Sequence, residues 1–345
     1  PAGSGIFVTC DAQTGAPLAV FQENRYMTDL RTGAAGAVAV KHLADGRHTA
    51  VCFVGTGVIA KAMARSAAQV HSFKQAYCYS RDAEKVAAFC AEMEAELGYP
   101  FTACASAEAA VNQADVVFTQ TTGAEMVLER SWLKPHATII ASGSDQPTKN
   151  EIPAEVLKDA KVVCDLVRQC ARVGELRSAI EAGAMREEDV YAELGEVVNG
   201  TREGRRRRDG IIVVDLTGTG AQDAAIGQVA WDTLSRTAPS AANSEAASGL
   251  PPPKLYAYDQ VQAGLKPSAA LVASVEDAFG QLAKGAVEVP LPMHIGIAET
   301  ANAGPGDCHI KGGYVEGAAT WTVKLANVSF YNNVAKGLPA GSGIF

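Results

Sequence analysis

The residues with the plainest chemical use lie in 49–70, TAVCFVGTGVIAKAMARSAAQV, an apolar run followed by Gly55-Thr56-Gly57 and an Ala-rich helical pattern from Val58. Glycines there let the turn be tight and let the backbone approach a pyrophosphate, whose charge is met by the N–H groups opening the helix. Ala60 fills the third position of this GxGxxA pattern. Gly55, Thr56, Gly57, Val58 and Ile59 are therefore the first candidates for holding a dinucleotide. A second apolar run, Gln75–Tyr79, and an amphipathic pattern over Asp82–Leu97 supply the strand–helix–strand setting that the motif requires. Ser80 and Arg81 end that second run, where an NAD site usually places a carboxylate on the ribose 2′-hydroxyl. A hydroxyl and a guanidinium suit a 2′-phosphate instead, which favours NADP(H), with NAD(H) the alternative. The competing reading leaves Arg81 stacked on the adenine or solvated at the helix start.

These residues need a frame. Short apolar runs at Val116–Thr119, Ala137–Ala141, Val162–Cys164 and Ile211–Asp215 alternate with helical patterns or turns, as in an open, mostly parallel sheet. Alternating segments at Ala286–Ile297, His309–Glu316 and Ala319–Phe330 read as strands of another sheet. The expected fold class is α/β: a Rossmann doubly wound parallel sheet plus a second α+β substrate and dimerisation domain. The length of 345 residues agrees with about two domains at roughly 150 residues each. The expected boundaries are 45–223 for the dinucleotide-binding domain, and 1–44 with 254–345 and a helix at 224–237 for the other. Residues 238–253, rich in Ala, Ser and Pro, read as a flexible linker.

The first seven residues, PAGSGIF, recur as the last seven. Such a repeat is left when two head-to-tail copies are cut at the same place, so a circular permutation is expected, with its seam in 238–253. The two copies of PAGSGIF would then compete for one place, or the ends would meet there.

Several segments together resemble the ornithine cyclodeaminase/mu-crystallin family of NAD(P)-dependent enzymes. They are Thr28–Ala35 (TDLRTGAA), the Gly55 turn, Gly143–Glu151 (GSDQPTKNE), Asp215–Asp223 (DLTGTGAQD), His309–Gly312, Trp321–Lys324 and Gly337–Pro339. In the family the last three lie ahead of the Rossmann domain, which agrees with a permuted order. The resemblance implies that Arg31 holds a substrate α-carboxylate, with Lys311 and Lys324 adding positive charge. Solvated lysines on a strand face are the bland alternative, but Lys324 sits in the apolar run TWTVKLANVSF, where an unpaired ammonium is costly. Asp145, just past an apolar strand, would move protons at the substrate, the alternative being a turn or helix-cap carboxylate. By the same resemblance Thr119, Thr121, Ser142, Gly143, Ser144, Lys149 and Leu216 would line the cofactor, with Thr217 and His294 near the substrate. Thr148 replaces a family glycine, and Met293-His294 stand where relatives often carry an arginine, which counts against the ornithine reaction.

The expected activity is NAD(P)H-dependent reduction of the C=N bond of a small α-imino acid, or the reverse amino-acid dehydrogenation. The alternatives are an ornithine-type cyclodeaminase that releases ammonia, and a mu-crystallin-like NADP(H)-dependent binder of small ligands. Lys+Arg 30 against Asp+Glu 38, a net charge of -8, argues against a general nucleic-acid partner. No apolar run approaches the roughly 20 residues of a membrane span. Eight cysteines without CxxC spacing, and histidines without HxH or HExxH spacing, give no reason to expect a metal; they suit reduced thiols in a cytoplasmic protein. Arg205–Arg208 reads as a solvated loop. A homodimer through the substrate-domain sheet is expected.

Overall fold

A computed structural model describes residues 4–121, 125–207, 209–237, 252–297 and 306–329. The chain opens with β1 (Ser4–Asp11), β2 (Pro17–Gln22) and helix α1 (Tyr26–Leu43). There follow β3 (Ala50–Val54), α2 (Val58–Ala67), β4 (Gln75–Tyr79), α3 (Ala83–Leu97), β5 (Phe101–Ala103), α4 (Ala107–Val111), β6 (Val116–Thr119) and β7 (Thr138–Ala141). Next come α5 (Ala154–Lys158), β8 (Lys161–Cys164), α6 (Val167–Val173), α7 (Glu175–Glu181), β9 (Ala192–Glu193), α8 (Leu194–Val198) and β10 (Ile212–Asp215). The described chain closes with α9 (Gly220–Thr237), β11 (Lys254–Tyr256), α10 (Tyr258–Gly264), α11 (Ala269–Ala283), β12 (Val287–Glu288), β13 (Met293–Ile297), β14 (Gly306–Val315) and β15 (Thr320–Ser329).

Two units divide these elements. One holds residues 32–218 and 267–283 around an all-parallel sheet of order β5-β4-β3-β6-β7-β10-β8-β9. Its central strands are mainly apolar, as strands covered on both faces must be; β6, β7 and β10 are buried at every position. The strand order reverses between β3 and β6, and the carboxyl ends of strands at such a switch point are where open α/β sheets bind ligands. The other unit holds residues 1–31, 219–266 and 284–345 around a sheet of order β11-β2-β1-β15-β14-β12, with β13 also paired to β14. Helix α9 lies on one face of it: Gly227 packs on the Thr322 side chain, and Gln228 accepts a hydrogen bond from Thr320. Register places Val20, Val8, Val323, Leu325 and Ile310 on the opposite face, beside the exposed Leu255 and Met293.

The division departs from the expected boundaries at three places. Residues 32–44 belong with the parallel sheet, because a side chain at Gly33 would meet the Ala62 carbonyl at 2.5 Å and one at Gly36 would strike Met63. Helix α11 does too: Asn199 donates to the Gly280 carbonyl at 2.7 Å, and Gly195 packs on the Phe279 backbone. Residues 219–223 belong with the mixed sheet, where Gly220 packs on Gly312. The linker segment 238–251 and the second PAGSGIF copy lie outside the described residues. Arg205 is no solvated loop residue. Its guanidinium donates to the carbonyls of Leu43 (2.8 Å) and Ala137 (3.3 Å) and to Thr138 Oγ1 (2.9 Å), fastening the end of α1 to β7.

Candidate active site

In the parallel-sheet unit, β3 ends at Val54 and the chain turns at Gly55 with φ 92. A Cβ there would lie 3.0 Å from the Gln120 carbonyl oxygen, so the position requires glycine on both conformational and steric grounds. Gly57 caps α2 without any side-chain hydrogen bond, and a Cβ on it would meet nothing within 4 Å. The opening N–H groups of α2 are thus left to an outside acceptor, which is what a pyrophosphate supplies. Val58 is 61% exposed beside them. These observations fit a dinucleotide.

Ser80 donates to the Asp82 carbonyl at 3.1 Å, and Asp82 caps α3. Arg81 is exposed, its guanidinium 3.9 Å from Glu125. Thr119 ends β6, and Ser142 past β7 donates to the Thr119 carbonyl at 3.3 Å. Thr121 donates its N–H to the buried Glu151, which Gly143 also abuts. Asp145 is half exposed and pairs with Lys149 at 2.7 Å. The carboxylate expected to move protons therefore has an ammonium at its side.

Three residues expected to face ligands are engaged internally. Ser144 is buried and donates to the carbonyls of Lys149 (2.8 Å) and Val173 (3.2 Å), so its hydroxyl supports the loop. Thr217 is 3% exposed; its hydroxyl donates to Asp165 at 2.9 Å and accepts from Gln169 at 2.9 Å. Leu216 is buried beside it. Both Asp165 and Gln169 hold the turn after β10 from below the surface, as the Asp165 carboxylate also accepts the N–H groups of Thr217 and Gly218.

The mixed-sheet unit carries a different construction. Arg31, in the second turn of α1, and Lys324, in the middle of β15, both reach Asp223 Oδ1 of α9, at 3.1 and 3.0 Å. All three are buried, and Arg31 also donates to Gln222 at 2.9 Å. Lys311 is the register partner of Lys324 across β14 and β15. Glu23, buried just past β2, accepts from the Thr28 N–H and hydroxyl at 2.8 and 2.9 Å.

Within the triplet two cations meet one carboxylate. Burial would raise the Asp223 carboxyl, but the neighbouring Lys324 and Arg31 charges prevail and lower it, so it is an anion. Burial raises Glu23, and pushes Asp29 up to about 7. Burial likewise pushes the Lys324 ammonium down to about 8, with Asp223 opposing that shift and Arg31 adding to it. Two buried cations with Lys311 beside them face one firmly ionised carboxylate, an arrangement that an incoming anion would complete.

Sequence reading placed Arg31, Lys311 and Lys324 but gave no role to Asp223, Gln222 or Glu23. One signal existed: an ammonium inside an apolar strand demands a buried acid. Nothing local says which acid, since Asp223 is 101 residues from Lys324. His294 is not brought into this group. It is exposed on β13, with its ring 4.9 Å from that of His309, its register partner on β14.

Comparison with known proteins bears on about two thirds of the chain. The model of the ornithine cyclodeaminase/mu-crystallin family matches residues 1–238. The chain belongs to that family. It is 38% identical over 232 residues to an uncharacterized cyclodeaminase of Sinorhizobium fredii, covering 67% of this chain and 70% of that protein. Among solved structures it resembles the Δ1-pyrroline-2-carboxylate reductase of Thermococcus litoralis in complex with NADH and L-proline. The TM-score is 0.65 at 26% identity, over 68% of this chain and 73% of the other. It also resembles the iminosuccinate reductase of Paracoccus denitrificans in complex with NAD+, with a TM-score of 0.63 at 32% identity over 68% and 71% of the two chains.

Proposed function

We propose that this family member is an NAD(P)H-dependent reductase of small α-imino acids, able to run in reverse as an amino-acid dehydrogenase. The observation that carries the reading is the buried Arg31–Asp223–Lys324 triplet with its excess of positive charge. A substrate carboxylate is the anion that such a group accepts, and a planar guanidinium grips it with two parallel hydrogen bonds. The relatives named for reductase activity make the nicotinamide the source of hydride for the imine carbon. Arg31 and Lys324 orient the substrate and balance its charge, while Asp145, held by Lys149, takes up or gives the proton at nitrogen.

Cofactor choice follows the end of β4. The carboxylate of an NAD site is replaced there by Ser80, and the exposed Arg81 is available for a 2′-phosphate, so NADP(H) is the preferred form and NAD(H) the alternative. The partner arrangement is a homodimer through the apolar outer face of the mixed sheet. One solved relative, an archaeal alanine dehydrogenase, is described as a dimer with bound NAD. No described helix is long and apolar enough to cross a membrane.

A second reading, cyclodeamination, is favoured by the cyclodeaminase named among the relatives. The two separate in a spectrophotometric screen of NADPH and NADH oxidation with pyruvate plus ammonia or methylamine, iminosuccinate and cyclic imines. Stoichiometric cofactor oxidation is the expected outcome; free ammonia from ornithine without net cofactor turnover would favour the second reading. Asp145→Ala is expected to lower kcat about 100-fold, and a wild-type rate in that variant would remove the proton role.

A further inference from the structure

We propose that Cys164, Cys170 and Asp215 form a site for one thiophilic divalent cation of the zinc class, separate from the dinucleotide turn and from the Arg31 triplet. Parallel pairing of β8 and β10 sets Cys164 in register with Asp215 at the carboxyl ends of the two strands. Helix α6, which begins three residues after Cys164, brings Cys170 back to them. The two sulfur atoms and a carboxylate oxygen lie within 4.8 Å of one another, and all three side chains are fully buried. A tetrahedral ion with metal–sulfur bonds of about 2.3 Å and metal–oxygen bonds of about 2.0–2.2 Å holds its ligand atoms roughly 3.5–3.8 Å apart, a spacing that falls inside that limit.

A second observation points into the same place. Asp215 Oδ2 accepts the Leu176 N–H at 2.9 Å, but Oδ1 is buried with no hydrogen bond of normal geometry. A buried carboxylate oxygen without a well-formed hydrogen bond is uncommon, and a bound ion is one of its standard explanations. Charge argues the same way. Asp165 lies beside Asp215, its Oδ1 3.2 Å from Cys170 Sγ. A cation relieves that crowding of acids. Two sulfurs and an oxygen select zinc or its soft congeners over calcium or magnesium. Thiolate ligation requires that the two thiols give up their protons to the solvent as the metal enters. Asp165 also holds the N–H groups of Thr217 and Gly218, so the ion would steady the turn after β10.

The test uses the full-length, untagged protein expressed with zinc in the medium and purified without chelator. Elemental mass spectrometry is expected to find about one zinc per chain, falling at least tenfold in the Cys164→Ser/Cys170→Ser double variant. Refolding the wild type with Co2+ should give the thiolate-to-cobalt charge-transfer band, absent in the double variant. Circular dichroism on the double variant tells a lost site from a lost fold, and the wild-type measurement stands without it. Metal-free wild type with no cobalt band would overturn the proposal. So would equal zinc in both proteins, or recovery of Cys164 and Cys170 as a disulfide.

Discussion

The glycine turn of the parallel sheet and the Arg31 triplet of the mixed sheet answer the same problem, holding an anion, by opposite means. The turn offers backbone N–H groups at a bare helix end and keeps side chains away. The triplet offers full charges held nine-tenths or more out of water and tied to one another by Asp223. Backbone donors carry their dipoles at little desolvation cost and tolerate exposure. Buried charges bind more tightly but make each member depend on the others, since removing one leaves another unpaired in a dry interior.

That contrast can be broken most severely at Asp223. Asp223→Asn keeps the shape but removes the charge that balances Arg31 and Lys324. It is expected to cost about 3 kcal/mol of stability, read by thermal or denaturant unfolding, with a large rise in KM for the imino acid. A variant with wild-type stability would show that the triplet is no more than a surface-like pair.

Lys324 gives a pH signature of intermediate size. Its folded pKa of about 8 lies below the ordinary 10.5, so the folded state binds fewer protons than the unfolded chain between these values. Stability is therefore penalised below about 8 and relieved as pH rises toward the unfolded value. Anion binding runs the other way, because the ammonium is lost above about 8. KM for the substrate carboxylate should climb above that pH, approaching about tenfold per unit, while this residue's contribution to stability improves. A flat KM profile from pH 7 to 10 would remove Lys324 from the carboxylate site.

The smallest effect is expected at the turn's outer edge. Arg81→Ala should weaken NADPH binding about tenfold, near 1.4 kcal/mol, and leave NADH binding unchanged, measured by fluorescence titration. Equal losses for both cofactors would remove the 2′-phosphate argument.

The same contrast governs what could be read from the chain. The parallel sheet and its turn were legible because their logic is local: an apolar run, two glycines, a helix, then a strand, all within about 30 residues, as a βαβ unit requires. The triplet was only half legible. Arg31 and Lys324 were found through motifs, whereas Asp223 closes contacts across the fold that no local pattern encodes. Domain limits slipped for a related reason. Helix α1 is continuous in the sequence pattern, yet its small residues Gly33 and Gly36 pack on α2 and the parallel sheet. The partners of the Thr217 and Ser144 hydroxyls were not legible either, since Asp165 and the Val173 carbonyl come from distant parts of the chain.

Gly57 has one more consequence. Elsewhere a serine or aspartate would close such a helix end, as Asp82 closes α3 and Ser106 closes α4. At α2 that task is vacant, so the donors that a cap would satisfy and the donors that a dinucleotide would use are the same groups. Gly57→Ser would strengthen the free protein by making the helix its own ligand. Resistance to heat and readiness to take up cofactor are, at this one residue, rival claims on the same hydrogens.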